Sequence, residues 1–314
     1  MQQFDVTVVG ELNLDLILSG LPEELKPERE VLANRLTLTL GSSSAIFAHN
    51  LSVLGSRVGF ISRIGDDPLG EVSSHRLAEG GVDVSRLRRV SGPVSTGLTV
   101  ILLRVGNRNI LTYPGTMFEM CFEDLDLGYL ASARHFHLSS FFLHRALLPR
   151  AVELFAAMRK AGLTTSLDVN DDPEDRWDSG LWNVLPHVDV FLPNAREACR
   201  VAGVADVGAA ADRLAMTVPV VAVKLGAEGA VARKGKQRYS SPPFRVECVD
   251  PVGAGDSFDA GFIHQYVRGV ELQTCLDYGN LAGAFSTTRP GGTEAFRDRQ
   301  YFRQFCEEHW PRNQ

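Results

Sequence analysis

The sequence has no apolar run long enough to cross a bilayer, which needs about 20 consecutive apolar residues. It has no basic excess either: the formal net charge is −6, so it carries no electrostatic footprint for nucleic acid. The first residues, MQQFDVTVVGELNLD, hold acid where a secretory signal would hold Lys or Arg, so no signal peptide is expected. Cysteine is scarce. Cys121, Cys199, Cys248, Cys275 and Cys306 are scattered, odd in number and form no C-x-x-C pair, which suits reduced thiols in a cytoplasmic protein. No repeat, low-complexity tract or linker divides the chain. No G-x-G-x-x-G follows the first apolar run, which disfavours a dinucleotide-binding dehydrogenase. What is present is an ordinary soluble composition, 44% hydrophobic and 22% charged, over 314 residues. That length suits one large α/β domain, or a domain with a small appendage.

The most informative stretch is VDPVGAGDSFDAGF, residues 249–262. Gly253 and Gly255 permit backbone angles that side chains forbid and let a ligand approach the chain closely. Beyond them Phe258, Phe262, Ile263, Tyr266 and Val267 recur at helical spacing, so a helix begins near Ala254. Its free amides and positive dipole end point back into the glycine turn, which suits a phosphate or a developing anion. Asp256 stands in the first helical turn, and a second carboxylate, Asp250, precedes it. A plain helix start would not call for two glycines and both acids.

D-x-x-G-A-G-D-x-F resembles the C-terminal signature of the ribokinase-like (PfkB) carbohydrate kinases. The resemblance implies that Asp256 takes the proton from a sugar hydroxyl. It implies that the amides of Gly253, Ala254 and Gly255 form the anion hole for the transferred phosphoryl group.

Other family motifs follow in order. Phe4 to Gly10 reads as a buried first strand ending at glycine. Asn13 and Asp15 come just beyond it, where open α/β sheets bind ligands, and the family's N-x-D holds sugar hydroxyls. Residues 16–40 hold a Pro-containing charged loop and then a stretch alternating Leu and Thr, as in a strand with one wet face. A second such stretch runs from Ser95 to Leu103, with a turn expected at Gly106-Asn107. The resemblance makes these two insertions, about 16–40 and 95–114, a β-sheet lid. Between them, residues 41–71 read as helix, strand and a second helix opened by Asp66-Asp67-Pro68, matching the N-terminal signature. That match departs at the sugar. Where the family has G-G-x-x-x-N, this chain has Gly41-Ser42-Ser43-Ser44-Ala45-Ile46, with His49 or Asn50 as candidates to replace the missing amide. Gly41, Ser42 and Ser43 are carried over as substrate residues.

From His135 strands and helices alternate, as in a mostly parallel sheet covered on both faces. Asn194 and Glu197 share one side of a helix start. By spacing alone they are a capping pair. By resemblance Asn194 holds nucleotide phosphate and Glu197 holds Mg²⁺ through water. Lys224, Gly226, Gly229 and Asn280 would line the nucleotide, and carbonyls near Asp250 and Gly291 would hold a monovalent cation such as K⁺. Asp168 to Asp172 read as an acidic wall, and Phe141 and Phe142 lie near the site. The tail from Arg297 reads as a surface helix.

The reading is therefore one ribokinase-like three-layer α/β domain over residues 1–314, with a mostly parallel sheet and a small β-sheet lid. It implies transfer of a phosphoryl group from ATP, with Mg²⁺, to a hydroxyl of a small neutral sugar, and a homodimer formed through the lid. A nucleoside kinase of the same fold and a non-catalytic sugar-sensing protein are the alternatives.

Overall fold

The computed structural model describes residues 2–104 and 107–310. Gly106 of the expected turn and residues 311–314 of the expected tail helix lie outside the described residues.

The chain opens with β1 (Val6–Val9), four β-branched residues with no exposure. β2 (Leu14–Leu21) and β3 (Arg35–Leu40) follow, then α1 (Ser43–Val53), β4 (Val58–Gly65) and α2 (Pro68–Glu79). Asp67 caps α2 by accepting from the Gly70 amide at 2.9 Å, with Pro68 in the first turn, as the Asp-Pro signal requires. Next come β5 (Asp83–Val90), β6 (Leu98–Arg104), β7 (Asn107–Tyr113), α3 (Leu127–Leu130) and β8 (His135–Leu138). The strand–helix alternation then runs α4 (Ala151–Lys160), β9 (Thr164–Leu167), α5 (Leu181–Val184), β10 (Val190–Phe191), α6 (Ala195–Ala202), α7 (Val207–Leu214) and β11 (Val220–Lys224). The hairpin β12 (Ala230–Lys234) and β13 (Gln237–Ser241) precedes α8 (Ala254–Tyr266), α9 (Leu272–Ser286) and α10 (Arg299–His309).

The large sheet has nine strands in the order β13-β12-β11-β10-β9-β8-β1-β4-β5. All neighbours from β11 to β5 are parallel, and β12 pairs antiparallel with both β11 and β13. One apolar core joins the sheet to α4–α7, and a second joins it to α1, α8 and α9, which gives three layers. The direction of strand succession reverses beside β1, the position where such sheets leave a crevice at their carboxyl ends.

The small sheet has the order β3-β2-β6-β7. The first insertion departs from expectation at its start. β2 begins at Leu14, so the first insertion opens with a strand, and its charged loop begins only after Leu21. Asp15 is therefore a strand residue. Within the small sheet β2 and β6 run parallel, while β2–β3 and β6–β7 pair antiparallel. β5, an edge strand bearing Arg86, Arg88 and Arg89, had no apolar alternation to announce it; charge on an edge discourages further pairing.

Candidate active site

A cavity of about 990 Å³ lies between the carboxyl ends of the large sheet and the small sheet. Its floor includes Asn13, Ser42, Ser43 and Asp256, and Thr99, Ile101, Ile110 and Thr112 line its small-sheet side. A second, more apolar cleft of about 710 Å³ runs between β11 and α9. The two share Lys224, Gly226, Pro251, Ala254 and Gly255, so they meet at the glycine turn.

That turn is built as its residues dictate. Gly253 caps α8 at φ 75°, in the left-handed region, and a Cβ there would lie 2.5 Å from Gly292 Cα. The Ala254 amide donates to Pro251 O at 3.3 Å, whereas helical geometry gives the Gly255 and Asp256 amides no intrahelical acceptor beside the junction of the two cavities. Asp256 follows in the same turn, and Ser43 favours its ionised form. Burial, reinforced by the Asp168 carboxylate and opposed by Lys224, pushes Asp256 up to about 7.

Asp15 faces the cavity from β2 and is 6% exposed. Burial, with the carboxylates of Asp256 and Asp250, pushes it up to about 7. Gly41 does not line the cavity. A Cβ on it would lie 2.1 Å from Asp15 Oδ1, so glycine there leaves room for that carboxylate. Asn13 Nδ2 donates to Thr99 Oγ1 at 3.4 Å, while its buried Oδ1 has no partner and is free to accept from a hydroxyl. Ser42 sits at φ 60°, where the family's glycine would be unstrained, and donates to Glu11 O at 2.9 Å. Ser43 Oγ accepts from Asn170 Nδ2 at 2.7 Å.

Asn194 and Glu197 form a capping box, as spacing alone expects. The Glu197 amide donates to Asn194 Oδ1 at 3.0 Å, and the Asn194 amide donates to Glu197 Oε2 at 2.8 Å. Both nonetheless line the cavity. Burial, then the Asp168 carboxylate, pushes Glu197 up to about 8. Among the described residues no three His, Cys, Asp or Glu side chains converge as metal ligands. Glu197 lines the cavity beside Asn194, and its carboxylate fits an ion that keeps several of its waters. Gly226, Gly229 and Asn280 line the second cleft, where Asn280 Nδ2 donates to Ser241 Oγ at 2.8 Å. Asp250 ties two loops together, accepting from the Val252 amide at 3.0 Å and the Gly291 amide at 2.9 Å.

Lys224 lines both cavities, and its ammonium pairs with carboxylates: Asp168 at 3.2 Å and both oxygens of Asp259 at 3.1 and 2.9 Å. Other expectations differ from the structure. His49 and Asn50 do not replace the missing amide. Asn50 Nδ2 donates to Ser257 Oγ at 2.9 Å and Gly292 O at 3.0 Å, and His49 Nδ1 lies 2.8 Å from Asn50 Oδ1. They lock α1 to α8. Phe141 and Phe142 belong to the apolar core and do not line the cavity. The acidic wall is reduced: Asp168 pairs with Lys224, Asp171 with Arg196 at 2.8 Å, and Asp172 accepts from the amides of Glu174, Arg176 and Trp177.

Three polar residues escaped the sequence. Glu11, fully buried on the cavity floor, accepts from Ser44 Oγ at 2.6 Å and Ser140 Oγ at 2.7 Å and pairs with His144 at 3.4 Å. Burial alone would raise its pKa; His144 and the two hydroxyls outweigh it and lower it. Ser140 stands at φ 53°, and Asp259 is a buried acid inside an apolar helix. Glu11 was visible beside the Asn13–Asp15 motif, but Ser140 and Asp259 gave no local signal.

A mostly parallel sheet between two helix layers, with a glycine turn at a helix N-terminus beside a buried carboxylate, is the architecture of a phosphotransferase of the ribokinase-like fold. The pfkB family carbohydrate kinase model matches residues 3–299, and the chain belongs to that family. It is an ATP-dependent kinase that acts on a sugar hydroxyl. The chain is 30% identical over 296 residues to an ATP-dependent ribose-1-phosphate kinase of Halopiger xanaduensis, covering 92% of this chain and 94% of the relative. It is 27% identical to a ribokinase of Haemophilus influenzae, covering 96% and 98%. The structure of Arabidopsis thaliana ribokinase complexed with ribose and ATP superposes with a TM-score of 0.81 at 23% identity, covering 96% of this chain and 98% of that one.

Proposed function

We propose that the chain transfers the γ-phosphoryl group of ATP to a hydroxyl of a small, neutral sugar. The observation that carries this is the meeting of a polar cavity and an apolar cleft at one glycine turn, with Asp256 on the cavity side. Asp256 takes the hydroxyl proton, and Asn13, Asp15, Ser42 and Ser43 orient the sugar, Gly41 making room for Asp15. The amides of Gly253, Ala254 and Gly255 hold the charge that develops on the phosphoryl oxygens. The nucleotide lies along Gly226, Gly229 and Asn280, with Asn194 toward its phosphates. Glu197 would hold Mg²⁺ through water, and the ion would supply neutralisation of the phosphate charge.

Neutral substrate follows from charge. The cavity holds six acids, Glu11, Asp15, Asp168, Asp171, Glu197 and Asp256, against Lys224 and Arg108, and Lys224 is already paired. Carboxylates accept from adjacent hydroxyls, whereas an anionic sugar needs a cationic clamp. Of the arginines on the small sheet, Arg104 donates to Glu23 O at 2.9 Å, and Arg108 alone lines the cavity. The test is a turnover panel with ATP and Mg²⁺. Neutral hexoses, pentoses and polyols should be phosphorylated. Turnover confined to sugar acids or phosphosugars would overturn the neutral assignment and point to Arg108. The small-sheet face carries Thr and Ile in place of stacking aromatics, which favours a sugar over a nucleoside.

We read the chain as one domain whose small sheet closes as a lid over the sugar. The lid also presents apolar side chains outward: Leu36 is 62% and Leu111 54% exposed. These suit a homodimer, and a monomer by analytical ultracentrifugation would remove it. The loop pair tied by Asp250 and Gly291 offers backbone carbonyls for K⁺, so replacing KCl by choline chloride should lower turnover. Five free cysteines fit a cytoplasmic location.

A further inference from the structure

Lys224 is a cation buried where the two cavities meet. Its amide donates to Pro193 O at 3.0 Å, which sets its backbone beside Asn194. From there the side chain passes under the glycine turn: a Cβ on Gly255 would lie 3.6 Å from Lys224 Nζ. The ammonium grips Asp259 through both oxygens, at 3.1 and 2.9 Å, and Asp168 through one, at 3.2 Å. Asp259 has no exposure and stands one turn along α8 from Asp256. Lys224 itself is 9% exposed, at the rim of both cavities.

A structural ion pair needs one carboxylate. Here two compete for one ammonium, and they hold it unequally. The anion hole beside it consists of neutral amides, yet phosphoryl transfer spreads negative charge over oxygens at that point. In a poorly screened interior a fixed ammonium acts strongly on such charge. Burial works against the ammonium, but Asp168, Asp259 and Glu197 outweigh it and raise the Lys224 pKa, so the ammonium stays charged.

We propose that Lys224 is a further catalytic residue of the transfer centre, and that Asp259 is its positioning residue. As charge builds on the phosphoryl oxygens, the ammonium exchanges Asp168 for them while Asp259 keeps its place. This rests on the sugar-kinase reading. The discriminating readout is therefore the ratio of variant to wild-type turnover, taken with a sugar that the wild type phosphorylates.

The experiment compares K224M, K224R, D259N and the double variant K224M/D259N. It measures kcat, KM for sugar, affinity for a non-hydrolysable ATP analogue with Mg²⁺, and thermal melting. K224M should lose roughly a hundredfold in kcat, the scale of one lost charge-stabilising donor, with analogue affinity changed by less than about threefold. K224R should keep more activity than K224M, and D259N should lose kcat without raising KM for sugar. The double variant, which removes the buried carboxylate along with the ammonium, should fold and match K224M. A kcat within about threefold of wild type in K224M, or a loss accounted for by weaker analogue binding, overturns the proposal. So does failure of both K224M and the double variant to fold, which would make Lys224 a structural ion pair. No wild-type turnover with any sugar would instead overturn the reading beneath it.

Discussion

The glycine turn of α8 and the small sheet face each other across one cavity and are built on opposite principles. The turn is fixed from all sides. Gly253 is pressed against Gly292, Ser257 donates to Gly253 O at 2.7 Å, and Asn50 ties α1 to both segments. The small sheet has little core of its own: β7 is exposed along its whole length, and the first two residues of β3 are exposed as well. The turn concentrates buried acids that repel one another. The small sheet offers Thr, Ile and one arginine. The difference teaches that groups moving a proton and a phosphoryl must be held in place beforehand. Groups that enclose a substrate must be free to yield.

The sharpest way to break this contrast is at the base. D256N keeps the shape of the side chain but cannot accept a proton. Steady-state kcat should fall on the order of 10²–10⁴-fold, the usual share of a general base, with nucleotide-analogue binding retained. Retention of more than about a third of kcat would exclude Asp256 from that role. Next comes the rigidity of the turn. G253A adds a Cβ at φ 75°, 2.5 Å from Gly292 Cα, so the turn must shift. A displacement of about 1 Å at the amides should cost roughly 10²-fold in kcat. A variant with unchanged kcat would show that the turn is not the fixed half of the site.

D15N tests the repulsion itself. Folded Asp15 holds its proton up to about pH 7, whereas an unfolded chain releases it near 3.9. The folded state therefore binds the extra proton between those values, and the stability from this group is lost as pH rises through about 7. Since Asn does not titrate, D15N should be more stable than wild type at pH 8 by roughly 1–3 kcal/mol in denaturant melts, with no such gain at pH 4. Its KM for sugar should rise. The smallest effect belongs to the small sheet: amide exchange in β3, β6 and β7 should slow when an accepted sugar binds, while α8 stays unchanged. Equal slowing in both would erase the contrast.

The fixed half was the more legible in sequence, because its geometry is enforced locally. Two glycines, a helix start and an acid are contiguous, and α8 begins at Ala254 as the spacing requires. The Asn194–Glu197 capping box was likewise written into four consecutive residues. Long-range pairings were not. Nothing near Asp259 says that a lysine from β11 reaches it, and nothing near His49 says that Asn50 will be spent on Ser257 and Gly292. β2 was hidden because its strand residues run straight into a charged loop, and its parallel partner β6 lies some eighty positions away.

The central claim is that a buried carboxylate at the glycine turn must be ionised for transfer, and the pH dependence of kcat/KM for the sugar tests it most directly. Asp256 is pushed up to about 7, so kcat/KM should climb about tenfold per pH unit below that value and level off above it. The limb should persist in D15N and vanish from the residual activity of D256N. A flat profile from about pH 5.5 to 8, or a limb that survives in D256N, would contradict the account.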